Sequence, residues 1–435
     1  MSDTLPQPPL NLARGWPANN LFPRQNLQDS AVAVISNPIV SAQGLGYGPD
    51  EGHFELRKNI GTWLSRNYGL SKSIEAERIC ISGGASQNLA CVLQVFTDHI
   101  HTRYVWLVEP IYHLAFRIFE DAGFYGRLRA VPEDENGINI DFLERAIQSL
   151  TPDSVSSTSE RPYGKTYSHV IYCVPTFSNP SGTTMPVSRR EALVRLARKH
   201  DALIIADDVY DFLDWTPSAA PGSTRHPLPR IVDIDRTLDG GPATPFGNST
   251  SNGSFSKIVA PGCRVGWAEG TPEFAYALSQ AGSTRSGGAA SQLMSTFIND
   301  MLENGSLDKH IRDALLPTYS RRALTLEKAI KEHLLPLGVT CGLGPEPRSI
   351  QGGFFTWIKL PHSLDARDIA DRAAQEQNLS VAHGNIFSVP RGSHPGNDLR
   401  CRIRLCFAWE SEELISEGVE RLALVLRDAL AGLCL

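Results

Sequence analysis

Two hydrophobic patterns alternate along the first two thirds of the chain. Short runs such as "RICIS", "YVWLVEP", "HVIYCVPTF" and "ALIIADD" are apolar at nearly every position. Between them lie segments such as "SQNLACVLQVF", "HLAFRIFEDAG" and "SRREALVRLARKHD", whose apolar residues recur every three or four positions. The short runs predict strands buried on both faces, and the longer segments predict helices. Their alternation implies an α/β architecture, a mostly parallel sheet with helices on both faces. Upstream, "HFELRKNIGTWLSRNYGL" places Leu56, Ile60, Trp63 and Leu64 on one face of a helix. Ser188 is positioned to cap the helix of "SRREALV". The start of the chain, to about Phe22, is rich in Pro and Asn and reads as an extended arm. After about Asp308, helical patterns flank two alternating runs, "GGFFTWIKL" and "CRIRLCFA", which predict a smaller α+β unit. Two stretches read as flexible surface insertions: "TPDSVSSTSERPYGK", and a second region holding "TPSAAPGSTRHPLPR" and "DGGPATPFGNSTSNG".

At 435 residues the chain exceeds one simple core, so two domains are expected. A net charge of -6, without a dense basic patch, argues against nucleic acid as the main partner. The eight cysteines are scattered with no C-x-x-C pair, which favours a reduced intracellular protein over a disulfide scaffold or zinc site. His99 and His101 form an H-x-H pair without supporting cysteines or carboxylates, so no metal is expected. The start "MSDTLPQPPLNLARGW" lacks the pattern of a signal peptide, no apolar run is long enough to span a bilayer, and "GLCL" puts Cys434 in the wrong place for prenylation. A cytoplasmic location with no membrane partner is the expectation.

Ligands of open α/β sheets sit at the carboxyl ends of the strands, so residues just beyond the runs are candidates for chemistry. "ICISGGASQNL" is strand, glycine turn, helix: Gly83 and Gly84 allow close backbone approach, and Ser86 adds a hydroxyl at a helix start that suits a phosphate. Tyr112 follows the second run, Asn179 and Pro180 the third, and Asp207 ends the fourth with Tyr210 three residues on. Each also has an ordinary reading, as turn former, cap or packing residue. Farther along, "NGSFSKIVAPGCRVGW" sets Lys257 among small and hydroxyl residues, ahead of Arg264.

The order Gly-rich loop, Tyr, Asn-Pro, Asp-x-x-Tyr, Ser-x-Ser-Lys, Arg resembles the class I/II aminotransferases, pyridoxal-phosphate enzymes of fold type I. The likeness runs from "RGWPANNLFP" through "YGPDEGHFELR" to "RIRLCFA". It implies an arm over residues 1–35 that joins the small domain, a large cofactor domain over 36–306 and a small C-terminal domain over 307–435. It also implies pyridoxal 5'-phosphate as cofactor. Lys257 corresponds to the lysine that forms a Schiff base with the cofactor aldehyde and then moves the substrate proton. Gly84, the amides of Ala85 and Ser86, the hydroxyls of Ser86 and Ser254, and Arg264 correspond to the phosphate cradle. Tyr112 corresponds to the ring-stacking residue and Asp207 to the partner of the pyridine nitrogen. Asn179 and Tyr210 correspond to donors to the ring's phenolic oxygen, and Asn179 also borders the substrate. Tyr47 corresponds to a tyrosine that reaches the phosphate of a neighbouring subunit, implying a homodimer. Arg402 and Arg404 share a strand phase, and the family's Arg-Leu-x-Phe pattern selects Arg404 for the substrate carboxylate. Gly15 corresponds to the arm segment that closes over the substrate.

The implied reaction moves an amino group from an L-amino acid to a 2-oxo acid such as 2-oxoglutarate. The absence of a clear second arginine argues against a dedicated aspartate enzyme, leaving aromatic or 2-aminoadipate-like substrates. The same residues serve β-elimination (C–S lyases), cyclopropane-forming synthases and decarboxylases, and the fold also serves ligand-binding regulators. The chain departs from the family in reading "NPSG" where Thr is usual, and in the long stretch between Tyr210 and Ser254.

Overall fold

A computed structural model describes residues 8–150, 163–217, 226–343, 349–361, 363–391 and 399–432. Most of the insertion beginning at Thr151, the middle of the second insertion and Cys434 lie outside the described residues.

The buried apolar runs form the predicted sheet. Among the described residues it has eight strands, ordered Ile79–Ser82, Gly266–Glu269, Ser249–Ser254, Ala202–Asp207, His169–Cys173, Tyr104–Glu109, Leu128–Asp134 and Gly137–Ile138. The central pairings are parallel; Gly266–Glu269 runs against both neighbours, and Gly137–Ile138 closes the far edge antiparallel. Every residue of Ala202–Asp207 is buried, as a strand covered on both faces requires. The helix Phe54–Asn67 buries Leu56, Ile60, Trp63 and Leu64 on its inner face, and His53 Nδ1 accepts from the Leu56 amide at its start.

Two expectations need correction. Ser188 does not cap its helix, which runs Val187–Lys199 behind Pro186 with no side-chain cap. The proline occupies the capping position, so Ser188 falls inside the first turn. The second correction concerns "DGGPATPFGNSTSNG". Its last part is no loop: Ser249–Ser254 is a fully buried central strand. Its polar side chains are satisfied internally. Thr250 Oγ1 donates to the Glu269 carbonyl at 3.0 Å, Ser251 Oγ to Asp208 Oδ2 at 2.5 Å, and Asn252 Oδ1 accepts from Asn88 Nδ2 at 2.7 Å. A β-carbon on Gly253 would lie 2.1 Å from the Trp267 ring, so only glycine fits there.

The later strands form a separate antiparallel sheet, ordered Thr340–Cys341, Phe355–Lys359, Arg402–Cys406, Ala382–His383. The helices Ala366–Gln377 and Glu412–Gly432 accompany it. Within the described residues 8–22 the arm is extended apart from a 3₁₀ turn at Asn19–Leu21, and Leu10–Asn11 pairs in parallel with Leu379–Ser380. That pairing carries residues 12–17 from the small sheet to the strand ends of the large one. Among the described residues, no helix is long and apolar enough to cross a membrane, and no group of His, Cys, Asp and Glu could hold a metal ion.

Candidate active site

A cavity of about 800 Å³ lies at the carboxyl ends of the large sheet's strands. Strand ends, glycine turn, arm and small sheet all contribute to it. Of the residues singled out above, Gly15, Ala85, Ser86, Tyr112, Asn179, Asp207, Tyr210, Ser254, Lys257, Arg264 and Arg404 line it. Gly84 and Tyr47 do not. Gly84 sits behind the wall at φ +98°, and a β-carbon there would meet Arg264 Nη2 at 2.3 Å. Tyr47 is 92% exposed.

Lys257 closes a single 3₁₀ turn, Phe255–Lys257, that follows the polar strand. Ser254 Oγ starts this turn by accepting from the Ser256 amide at 3.1 Å. The ammonium donates to the Gly15 carbonyl at 2.9 Å and sits 5.3 Å from the Phe354 ring. Burial lowers its pKa to about 8, the Arg404 charge adds to the shift, and Cys406 and Asp207 oppose it. A lysine poised there can hold or release a proton near neutrality.

Asp207 is buried at the end of its strand. Its Oδ2 accepts from the Tyr172 hydroxyl at 2.7 Å, while Oδ1 is buried with no partner among the described residues. Burial raises the carboxyl to about 6, and the Tyr172 hydrogen bond and Lys257 charge pull it back. An unpaired buried carboxylate oxygen facing a cavity is costly unless a ligand completes it. Asp208, one residue on, turns away to Ser251, so Asp207 alone of the pair lines the cavity.

The small sheet separates the two candidate arginines. Arg402 Nη1 reaches the Gly342 carbonyl at 2.6 Å and does not line the cavity. Arg404 does; its Nη1 donates to Asn179 Oδ1 at 2.6 Å, and its guanidinium lies over Phe355 at 4.1 Å. Arg404 Nε is buried with no partner. At the other end, Arg264 Nη2 donates to the Gly83 carbonyl at 2.6 Å, beside the N-terminus of the helix Ala85–Phe96. Amides at a helix start, hydroxyls and a guanidinium make an anion site.

The sequence reading missed Tyr172 and gave Ser256 no role. Tyr172 is a fully buried tyrosine inside a strand, which signals that its hydroxyl needs a partner. Ser256 lines the cavity and accepts a hydrogen bond from Ser254 Oγ at 2.9 Å.

The family model described as aminotransferase class I and II matches residues 18–422. The chain belongs to this family. An uncharacterised protein of Saccharomyces cerevisiae, YER152C, is 35% identical, the match covering 94% of this chain and 95% of that one. Aromatic-amino-acid aminotransferase 1 of Thermococcus litoralis is 29% identical over 96% of this chain and 88% of its own. Among solved structures, LysN, the α-aminoadipate aminotransferase of Thermus thermophilus, complexed with N-(5'-phosphopyridoxyl)-L-leucine, superposes with a TM-score of 0.76. It is 26% identical and covers 97% of this chain and 93% of its own. This family member is thus a pyridoxal-phosphate-dependent aminotransferase of fold type I, moving an amino group from an amino acid to a 2-oxo acid. The cavity's donor set fits the cofactor: an anion site at one end, an unpaired carboxylate oxygen at the other, and a lysine of lowered pKa between strand and arm.

Proposed function

We propose that the chain transaminates L-amino acids with large side chains, aromatic or 2-aminoadipate-like, with Lys257 as the covalent and proton-moving residue. The observation that carries this is Lys257 and Arg404 in one cavity, each hydrogen-bonded to the same arm, through the Gly15 and Ala13 carbonyls respectively. A substrate carboxylate that takes the place of the Ala13 carbonyl on Arg404 brings its α-carbon toward Lys257. The cavity's volume and its apolar lining of Trp16, Leu114, Ile118 and Ile386 suit a large side chain. The relatives' named substrates support the same class. A panel of amino donors against 2-oxoglutarate tests the reading; aromatic and six-carbon dicarboxylic donors should lead, and a preference for alanine or aspartate would sink it.

When bound, the cofactor supplies the electron sink that makes the α-proton acidic. The chain's own groups do the rest. Asp207 Oδ1 would hold a proton on the ring nitrogen, with Tyr172 fixing that carboxylate through Oδ2. Tyr112 would cover the ring face, and Asn179 and Tyr210 would donate to the ring oxygen. Gly84 would let the turn approach, while Ala85, Ser86, Ser254 and Arg264 would hold the phosphate. Lys257 would take the proton from the α-carbon and return it to the carbon two atoms away, across the nitrogen. In this reading the chain divides into arm 1–35, large domain 36–306 and small domain 307–435, and the arm borders the site at Gly15, whose carbonyl accepts from Lys257.

Arg404→Ala should raise KM for amino acids about 30- to 1,000-fold, since truncating one partner of a buried charge pair costs roughly 2–4 kcal/mol. Cofactor retention and simple amines should suffer less. Steady-state kinetics on both variants checks this: the same loss from Arg402→Ala, with Arg404→Ala normal, would reassign the role.

The reading includes a homodimer in the cytoplasm. Val32, Ile35, Ile39 and Leu45 are exposed apolar residues on the first two helices, just ahead of Tyr47. A second copy covering them would bring Tyr47 to the partner's phosphate site. Tyr47→Phe should weaken cofactor retention about tenfold, the scale of one hydrogen bond to a charged group. Mixing Tyr47→Phe chains with inactive Lys257→Ala chains should restore part of the activity, because one site of each mixed dimer keeps both residues. A fully active monomer in sedimentation would end this part of the account.

A further inference from the structure

One cation in the cavity is unused by everything above. Arg14 belongs to the arm and lines the cavity beside Gly15. Its backbone is fixed by a local turn, in which Asn11 Oδ1 accepts from the amides of Ala13 at 3.1 Å and Arg14 at 2.8 Å. Its guanidinium carbon lies 4.5 Å from the Trp16 ring and 4.8 Å from the Trp409 ring, and those two indoles meet edge to face at 5.9 Å. Among the described residues it has no carboxylate partner and its guanidinium donates no hydrogen bond. The contrast with Arg404 is direct: that guanidinium is spent on Asn179 and the Ala13 carbonyl.

A guanidinium lying against aromatic faces keeps its in-plane N–H groups available, and the indoles displace water that would otherwise screen it. Its planar fork matches a carboxylate with two parallel hydrogen bonds. Arg14 and Arg404 are also tied together. The next residue, Gly15, would place a β-carbon 3.9 Å from Arg404 Nη1, and the Ala13 carbonyl on the other side accepts from Arg404. Two guanidinia therefore line one cavity, Arg14 from the arm and Arg404 from the strand Arg402–Cys406 that the arm touches.

We propose that Arg14 binds a second, distal carboxylate, so that dicarboxylic amino acids and their 2-oxo acids are held at both ends, by Arg404 and by Arg14. This rests on the transaminase reading and names the substrate class within it. It also supplies the second arginine that no motif in the sequence marks. Aromatic substrates use the same place differently, lying against Trp16 and the apolar wall.

The test measures binding without turnover. Glutarate and valerate have the same number of carbons, but only glutarate carries the second carboxylate. Titration calorimetry on the holoenzyme should show glutarate binding more tightly, with a change in tryptophan fluorescence from Trp16 and Trp409. In Arg14→Gln the preference for glutarate over valerate should fall about tenfold or more, and Arg14→Lys should recover part of it. In kinetics, the ratio of kcat/KM for 2-oxoglutarate to that for phenylpyruvate should fall in parallel. Equal weakening of both ligands would show that Arg14 only straps the arm and would overturn the proposal, as would an unchanged preference. Absence of amino transfer with every donor would instead sink the transaminase reading, so the two failures are distinguishable.

Discussion

Replacing Lys257 by alanine should lower amino transfer by at least about 10⁴-fold, the upper range for loss of a positioned general base, while leaving the fold intact. Among the described residues the side chain has one hydrogen bond, to the Gly15 carbonyl, and no ion pair, so its removal costs little stability. The variant should still retain cofactor through the Arg264 end of the cavity. Two measurements check the assignment. Borohydride treatment of the wild type followed by peptide mapping should place the cofactor on Lys257; a label on another lysine contradicts the role. Acylation of the cofactor-free chain should show Lys257 half-reactive near pH 8, because burial lowers its pKa to about 8. Exposed lysines should follow at about 10.4. The sign follows from the neutral amine being the reactive form: Lys257 gains reactivity as pH rises through 8, well before its neighbours.

Asp207→Asn should cost roughly 10²–10³-fold in kcat, the scale for removing one preorganised electrostatic partner from a desolvated site. The amide is nearly isosteric and can keep the Tyr172 contact, so folding should survive. What is lost is the negative charge on Oδ1, the atom left without a partner inside the protein. An amide cannot hold a proton on a ring nitrogen, and the electron sink weakens. Tyr172→Phe should show a smaller loss of the same kind, since it frees the carboxylate without neutralising it. Near-normal turnover in Asp207→Asn would move the role to another group. Asp208 is a poor candidate because it does not line the cavity, its carboxylate being turned toward Ser251.

How much of this was legible depended on how each residue signals itself. Lys257, Asp207 and Arg264 sit in short motifs whose spacing matches strand ends and turns, and all three line one cavity. Arg404 needed one further fact, because alternation puts Arg402 on the same strand phase; the structure separates them by their partners, Gly342 for one and Asn179 for the other. The strand Ser249–Ser254 was illegible because hydrophobic periodicity cannot find a buried strand made of Ser, Thr, Asn and Gly. Its burial is stabilised by specific hydrogen bonds that only the fold assembles. Ser188 failed as a cap for a local reason, the proline before the helix. Arg14 was invisible for a different reason: nothing in "NLARGWP" says that the Trp409 ring, far along the chain, stands beside it.

The central claim is that this cavity moves an amino group from one carbon skeleton to another. Supplying an aromatic amino acid labelled with ¹⁵N, together with unlabelled 2-oxoglutarate, tests it directly. The account predicts ¹⁵N in newly formed glutamate, equimolar with the aromatic 2-oxo acid, and none of this in Lys257→Ala. Release of the label as ammonia, with no labelled glutamate, would contradict it and point to elimination instead.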